Sequence, residues 1–329
     1  SQGGACRVHH CERRFMFQDK WGLHPKTRPY SRGMKVGSII HLFLKYGIDG
    51  QEKVQKAVYE SHQKLLDRIK KGEDLAGDLA REANDLNSAY ETAKVVVIIY
   101  WEKFPVKNYV ETLSREKELK GFLDVGGMML PVIAILDWVV KDKRDGGVWI
   151  RDTKSTGRGV DAILVGYSYS FQSRFYRTAV DNWTEWAGDL RGFILDIVKT
   201  PAIKCCGKDE KQAAKVGCTP AEAYLQRVKE WYTENERGGD SYMTSRALPF
   251  VDPLYPAEFS RSLLKIASVW SRPLDDPENF DRDQTKASCF SFERRCPYYD
   301  LCMSAPISWP SQIEAEFQFV KPDEKRTEL

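Results

Sequence analysis

Two apolar runs near the middle of the chain end in charge: "AILDWVV" carries Asp137, and "GVWIRDTKS" carries Asp152 and Lys154. Both read as strands, joined as a hairpin through "KDKRDG". A turn centred between Arg144 and Asp145 sets Asp137 opposite Asp152, whereas one centred between Asp145 and Gly146, a good turn pair, sets Asp137 opposite Lys154. In either register the three side chains share a face, because residues two apart on a strand point the same way. Directly opposed Cβ atoms stand about 4.5–5.5 Å apart. Carboxylates that close repel unless a cation lies between them, and a hard divalent ion with oxygen ligands suits the pair. Lys154 beside such an ion can orient a water or offset charge growing on a phosphate. A solvated surface network of the same charges is the alternative, since a D-x-K tripeptide occurs often by chance.

Two further pairs sit at helical spacing. In "KVGSIIHLF", Gly37 and His41 are four apart and share a helix face; the glycine permits close approach to a sheet and the histidine offers an imidazole. In "FQSRFYR", Gln172 and Tyr176 repeat that spacing after the D-x-K strand. Taken separately, a core histidine and an ordinary packing pair explain them as well.

The elements that must position these groups follow from periodicity. "MKVGSIIHLFLKYG" (34–47) is a helix closed by Gly47, and residues 51 to about 102 are helical around a "KKGED" break, with Val54, Val58, Leu65 and Ile69 at three-to-four spacing. "ELKGFLDVGG", "LPVIAILDWVV" and "GVWIRDTKS" make a three-stranded meander. Residues 168–186 are helical, 190–200 form a strand, and 219–236 and 257–270 are helices. Strands and helices thus alternate around one mixed sheet, an α/β fold. "KPDEKRTEL" reads as a polar tail.

A content of 42% hydrophobic and 29% charged residues is that of a folded chain, and the apolar runs "VVVIIYW" and "GGMMLPVIAIL" fall short of the roughly 20 residues of a membrane helix. The opening "SQGGACRVHH" lacks an initiator Met and the layout of a signal peptide, and it reads as a trimmed terminus. A cytoplasmic location is expected, in a cell or, for a viral protein, in its host. Between Ser1 and Val36, eight Lys/Arg stand against two acids and interleave with Phe15, Phe17, Trp21 and Tyr30. That mixture suits a nucleic-acid backbone and its bases, with Arg13 and Arg14 as candidate contacts, or else a basic loop packing its aromatics on the core.

In order and separation, "GSIIH" (37–41), "ILD" (135–137), "DTKS" (152–155) and "QSRFY" (172–176) resemble the RecB-like branch of the PD-(D/E)XK nuclease superfamily. The resemblance covers about residues 34–200 and departs at Leu136, where the superfamily motif has proline. It implies a restriction-endonuclease-like core, a central mixed sheet flanked by helices. It implies that His41, Asp137, Asp152 and the Thr153 carbonyl bind Mg²⁺ or Mn²⁺, that Lys154 assists the attacking water, and that Gln172 and Tyr176 steady the water or the DNA strand. Asp124 in "GFLDVGG" is a rival for Asp137, one strand further out.

Eight cysteines fall at 6, 11, 205, 206, 218, 289, 296 and 302. Some RecB-like nucleases, AddB-type and CRISPR-adaptation exonucleases among them, resemble this arrangement in holding a [4Fe-4S] cluster by one cysteine before the core and three after it. The resemblance assigns Cys11, Cys289, Cys296 and Cys302 to that cluster, with Cys6 in reserve for Cys11 and with zinc or free thiols as alternatives. Cys205, Cys206 and Cys218 are read as free. The implied organisation is a basic segment at 1–33, a nuclease core at 34–275 with a helical insertion at about 51–112, a cysteine segment at 276–310 and a tail at 311–329.

The implied activity is divalent-metal-dependent hydrolysis of DNA phosphodiesters, as an exonuclease on a single-stranded or free end in recombination, repair or phage DNA processing. The alternatives are a catalytically idle iron-sulfur DNA-binding module and the nuclease subunit of a helicase-nuclease complex. No GxxxxGK[ST] loop occurs, so any helicase or recombination motor would be a separate chain.

Overall fold

The computed structural model describes residues 8, 11–26, 30–47, 50–74, 77–157, 159–168, 170–237, 242–250, 256–274, 276–283, 289–291 and 294–320. Cys6 and the tail "KPDEKRTEL" lie outside them. The chain begins with α1 (Glu12–Phe15), a π-helical turn (Met16–Lys20) and β1 (Leu23–Pro25). Three helices follow: α2 (Arg32–Tyr46), α3 (Gln51–Lys70) and α4 (Asp78–Lys103). The meander is β2 (Val110–Val125), β3 (Met128–Asp142) and β4 (Val148–Thr156). After α5 (Val160–Ser168) and α6 (Phe171–Trp183) the chain returns as β5 (Leu190–Lys199). Helices α7 (Gly207–Val216) and α8 (Pro220–Arg237), strand β6 (Met243–Pro249) and helix α9 (Pro256–Ser271) complete the central layers. A two-residue ladder of β7 (Phe290–Ser291) and β8 (Arg294–Arg295), then α10 (Tyr299–Met303), α11 (Trp309–Glu316) and β9 (Phe317–Phe319), close the described chain.

The five central strands lie in the order β2-β3-β4-β5-β6, antiparallel except for the parallel β4–β5 pair. This is the α/β architecture, a mixed sheet flanked by helices, that the alternating pattern anticipates. One face of the sheet buries Leu119, Leu136, Val139, Ile150 and Leu195 against Val160, Phe175, Val180 and Ile266 of α5, α6 and α9. The second core joins α2, α3, α4 and α8 through Ile39, Val54, Leu86, Val96 and Val228, with Val198 of β5 and Met243 of β6. Full burial of side chains such as Ile150 stabilises by roughly 1.5–3 kcal/mol each, which explains why the D-x-K strand opens with an apolar run. Among the described residues, no helix is long and apolar enough to cross a membrane.

The two ends of the chain meet. Strand β1 pairs with β9, matching Leu23 with Phe319, and the Tyr298 hydroxyl donates to the Leu23 carbonyl at 2.7 Å. Phe17, Trp21 and Trp309 pack edge to face beside it. The part of the expected tail that is described is therefore not loose: residues 311–319 continue α11 and form β9, with Phe317 buried. The basic-aromatic opening also resolves toward packing. Phe15 and Phe17 are buried, and Arg13 is 1% exposed, donating to the Phe280 carbonyl at 3.1 Å and to Glu278 at 3.2 Å. A guanidinium so enclosed does not reach a DNA backbone, and Arg13 is corrected from nucleic-acid contact to a tie between chain ends.

Candidate metal centre at the strand fork

Strands β3 and β4 pair only over residues 138–141 and 148–151, in the register Trp138↔Arg151 and Lys141↔Val148. Continued by one step, this is the register that sets Asp137 opposite Asp152. At that step the ladder ends and the strands part. The gap is bridged by the Asp137 carboxylate, whose Oδ2 accepts the Thr153 amide at 3.1 Å. Thr153 thus contributes its N–H here, beside the carbonyl assigned to a metal by resemblance.

Asp152 is 0% exposed. Its Oδ1 accepts from Gln172 Nε2 of α6 at 3.2 Å, and its Oδ2 lies 2.7 Å from Lys154 Nζ. Among the described residues that oxygen has no well-directed hydrogen-bond partner, and the ammonium stands beside it. Burial first, and then the charge of Asp137, raise the Asp152 carboxyl to about 6. Burial likewise raises Asp137 to about 6, against the lowering influence of Lys154. Two carboxyls pushed up together above one ammonium, whose side chain is 31% exposed, mark a place short of positive charge.

His41 approaches from the opposite face. Helix α2 comes close to β4 because residue 37 is glycine: a Cβ there would stand 2.2 Å from Ser155 Oγ. One turn further along α2, His41 Nδ1 lies 3.7 Å from Asp137 Oδ2. Burial first and Lys154 second lower its pKa, so the ring is neutral and has a lone pair to give. Two carboxylates and a neutral imidazole suit Mg²⁺ or Mn²⁺. Among the described residues, however, no three His, Cys, Asp or Glu side chains are already converged to hold a metal.

The helix pair Gln172 and Tyr176 is buried on the α6 side of the fork. Gln172 orients Asp152, and Tyr176 stacks on Phe193 at 6.3 Å with its hydroxyl pKa raised by burial and by Asp152. Asp124 is elsewhere, exposed at the hairpin tip, where it accepts the Gly127 amide at 2.8 Å. Sequence reasoning missed three groups around the fork. Tyr167 of α5 lies beneath Lys154, whose Nζ is 5.7 Å from its ring centre, and burial first, then the charge of Asp152, raise its hydroxyl pKa. Arg151 turns away from the fork into a buried pair with Asp196 and donates to the Tyr100 hydroxyl at 2.6 Å, which fixes the D-x-K strand from behind. Glu116 lies across from Asp137 on β2. Only Arg151 carried a signal, a charge inside an apolar run.

A second constellation lies where the chain ends meet. Cys11, Cys289, Cys296 and Cys302 line one cavity, with Arg14 and Arg282 at its wall. All four are free thiols, as are Cys205, Cys206 and Cys218. Burial, then the neighbouring Cys11, raises Cys289; burial raises Cys296 and brings Cys302 up to about 11, with Cys11 adding to the latter. Arg14 is half-buried at this wall, which directs it to the cysteine cavity.

A family model described as the PD-(D/E)XK nuclease superfamily matches residues 1–303 of the chain. No curated protein matches. Among solved structures, the chain is similar to protein VC1899 from Vibrio cholerae at 10% identity and a TM-score of 0.18, over 67% of this chain and 61% of that one. A likeness at that score carries no argument, and the chain spans about three fifths of that protein's length.

Proposed function

The chain belongs to the PD-(D/E)XK nuclease superfamily, and from that membership we propose that it hydrolyses DNA phosphodiester bonds at the β3–β4 fork, as an exonuclease acting on a single-stranded end. The observation that supports this most is the fork itself, which opens the ladder where Asp137 and the buried Asp152 come together beside Lys154.

Asp137 and Asp152 are the proposed carboxylate ligands, and His41 supplies a neutral nitrogen from α2. The Thr153 amide holds Asp137 in orientation and Gln172 holds Asp152. When bound, Mg²⁺ or Mn²⁺ supplies a Lewis acid for the phosphate and lowers the pKa of a water. Lys154 places its ammonium where a phosphate gains charge, so its work falls in the transition state. In the reaction a water oxygen bonds to phosphorus, the ester P–O bond breaks, and a proton ends on the departing oxygen. Tyr176 is proposed to steady the water or the strand through Gln172.

We assign Cys11, Cys289, Cys296 and Cys302 to a [4Fe-4S] cluster that ties the two chain ends. The support is their shared cavity: burial raises the pKa of Cys289, Cys296 and Cys302 there, and such thiols become thiolates when a metal neutralises them.

The test uses 5′-labelled and 3′-labelled DNA strands, linear and circular, with Mn²⁺ or with EDTA. The reading predicts Mn²⁺-dependent release of short products from linear strands only. Cleavage of circles replaces the exonuclease by an endonuclease, and no cleavage by folded, metal-loaded protein removes the hydrolytic reading.

A further inference from the structure

Lysine carries its charge on a flexible four-carbon stem, so what Lys154 does at a phosphate depends on what fixes its ammonium. Two groups meet it, from two elements. Asp152, on the same strand, lies 2.7 Å from Nζ. Tyr167 of α5 presents its ring, whose centre is 5.7 Å from Nζ, within the reach of a cation over an aromatic face.

The ring is itself well fixed. Tyr167 is 5% exposed and meets Phe193 of β5 edge to face, with ring centres 5.5 Å apart. Strand β5 runs parallel to β4 and pairs Ile197 with Lys154, so ring and ammonium are referred to neighbouring strands. Burial first and the nearby Asp152 second raise the Tyr167 hydroxyl pKa, and among the described residues that hydroxyl has no well-directed hydrogen-bond partner. What Tyr167 offers the site is therefore its ring face. The two holds on Lys154 differ in kind. A carboxylate fixes an ammonium by offsetting its charge, whereas an aromatic face fixes it through the ring quadrupole and adds no net negative charge. An acid in place of Tyr167 would leave less of the ammonium's charge to act on a phosphate.

We propose that Tyr167 is a positioning residue for the hydrolysis, whose ring holds the Lys154 ammonium at the fork without placing a further negative charge beside it. This rests on the nuclease reading of Lys154 and deepens it, and it adds no ligand to the cation.

Release of label from end-labelled single-stranded DNA, with Mn²⁺, gives kcat and KM for each variant of the full chain. Tyr167→Phe keeps the ring and should keep kcat within about twofold. Tyr167→Leu removes the ring and should lower kcat by about tenfold while KM and Mn²⁺ affinity stay as they are. Phenylalanines bearing one, two and three ring fluorines at position 167 keep the packing and weaken only the negative face of the ring, so kcat should fall stepwise along the series. In a Lys154→Ala background the same changes should have no effect, because the group they act through is gone. A flat fluorine series, or losses that persist without Lys154, overturns the Tyr167 assignment and leaves the nuclease reading standing. If the unaltered protein releases no product, or Lys154→Ala cleaves at the unaltered rate, both are overturned.

Discussion

The strand fork and the cysteine cavity solve the same problem in different ways. Each gathers reactive groups from separate segments, yet the fork does so by backbone register and the cavity by the docking of chain ends. At the fork, Asp137 and Asp152 follow from one hairpin and are placed by the ladder that stops beside them. In the cavity, Cys11 meets Cys289, Cys296 and Cys302 only because β1 pairs with β9 and Arg13 locks onto residues 278 and 280. A site set by register should lose chemistry when a side chain is removed and keep its fold. A site set by docking should lose the fold.

The largest effect expected from that contrast is on cleavage. Asp152→Ala should reduce it to background, and Lys154→Ala should slow it by about 10²–10³-fold while Mn²⁺ still binds, as for other groups that act on transition-state charge. Cys296→Ala should do the reverse. It should release iron and lower unfolding stability by on the order of 3 kcal/mol, because metal-binding energy is also folding energy. Iron analysis and denaturant titration measure both. If Cys296→Ala leaves stability and iron unchanged, the cavity is a set of inert thiols.

Acidity sharpens the comparison next. Asp137 and Asp152 are raised to about 6 in the fold, so the native state holds more protons than the unfolded chain between roughly pH 4 and 6. Metal-free protein therefore loses stability as pH rises through that window, on the order of 2 kcal/mol for a coupled pair. Above pH 6 the carboxylates are ionised and Mg²⁺ should restore the loss. Melting curves at pH 5 and pH 8, in EDTA and in Mg²⁺, test the sign. The EDTA difference should shrink in Asp152→Asn.

Smaller effects probe the approach of α2. A Cβ on residue 37 meets Ser155, so Gly37→Ala should cost about 1–3 kcal/mol by overpacking. Ser155→Gly should recover part of that loss, and an additive double variant would show that the contact does not matter. Asp124→Ala, at the hairpin tip, should cost only about 0.5–1.5 kcal/mol for its turn hydrogen bond and leave cleavage untouched.

What was legible in the sequence divides along the same line. The meander and the close approach of Gly37 were readable, because strand period and helix spacing are local properties, whereas the turn left two registers open and the β3–β4 ladder selects the one that sets Asp137 opposite Asp152. Strand β6 was not: "MTSRALP" is short, half polar and has no alternation to betray it, and it gains its place by pairing with β5. Arg13 misled for a related reason, since a basic-aromatic run reads alike whether its charge meets phosphate or Glu278. The left-handed backbone of Glu116 in β2, at φ +48°, was also hidden, because "LSREKELKG" carries no glycine at that position. The cysteine spacing suggested a shared site, and the chain topology that brings Cys11 to the distal three was beyond any local pattern.

The central claim is that the fork of β3 and β4 is a hydrolytic metal site. Its most direct test is release of label from end-labelled single-stranded DNA by the unaltered protein and by Asp152→Ala, each with Mn²⁺ and with EDTA, at equal folded concentration. The account predicts release only by the unaltered protein and only with Mn²⁺. Full activity of Asp152→Ala would contradict it.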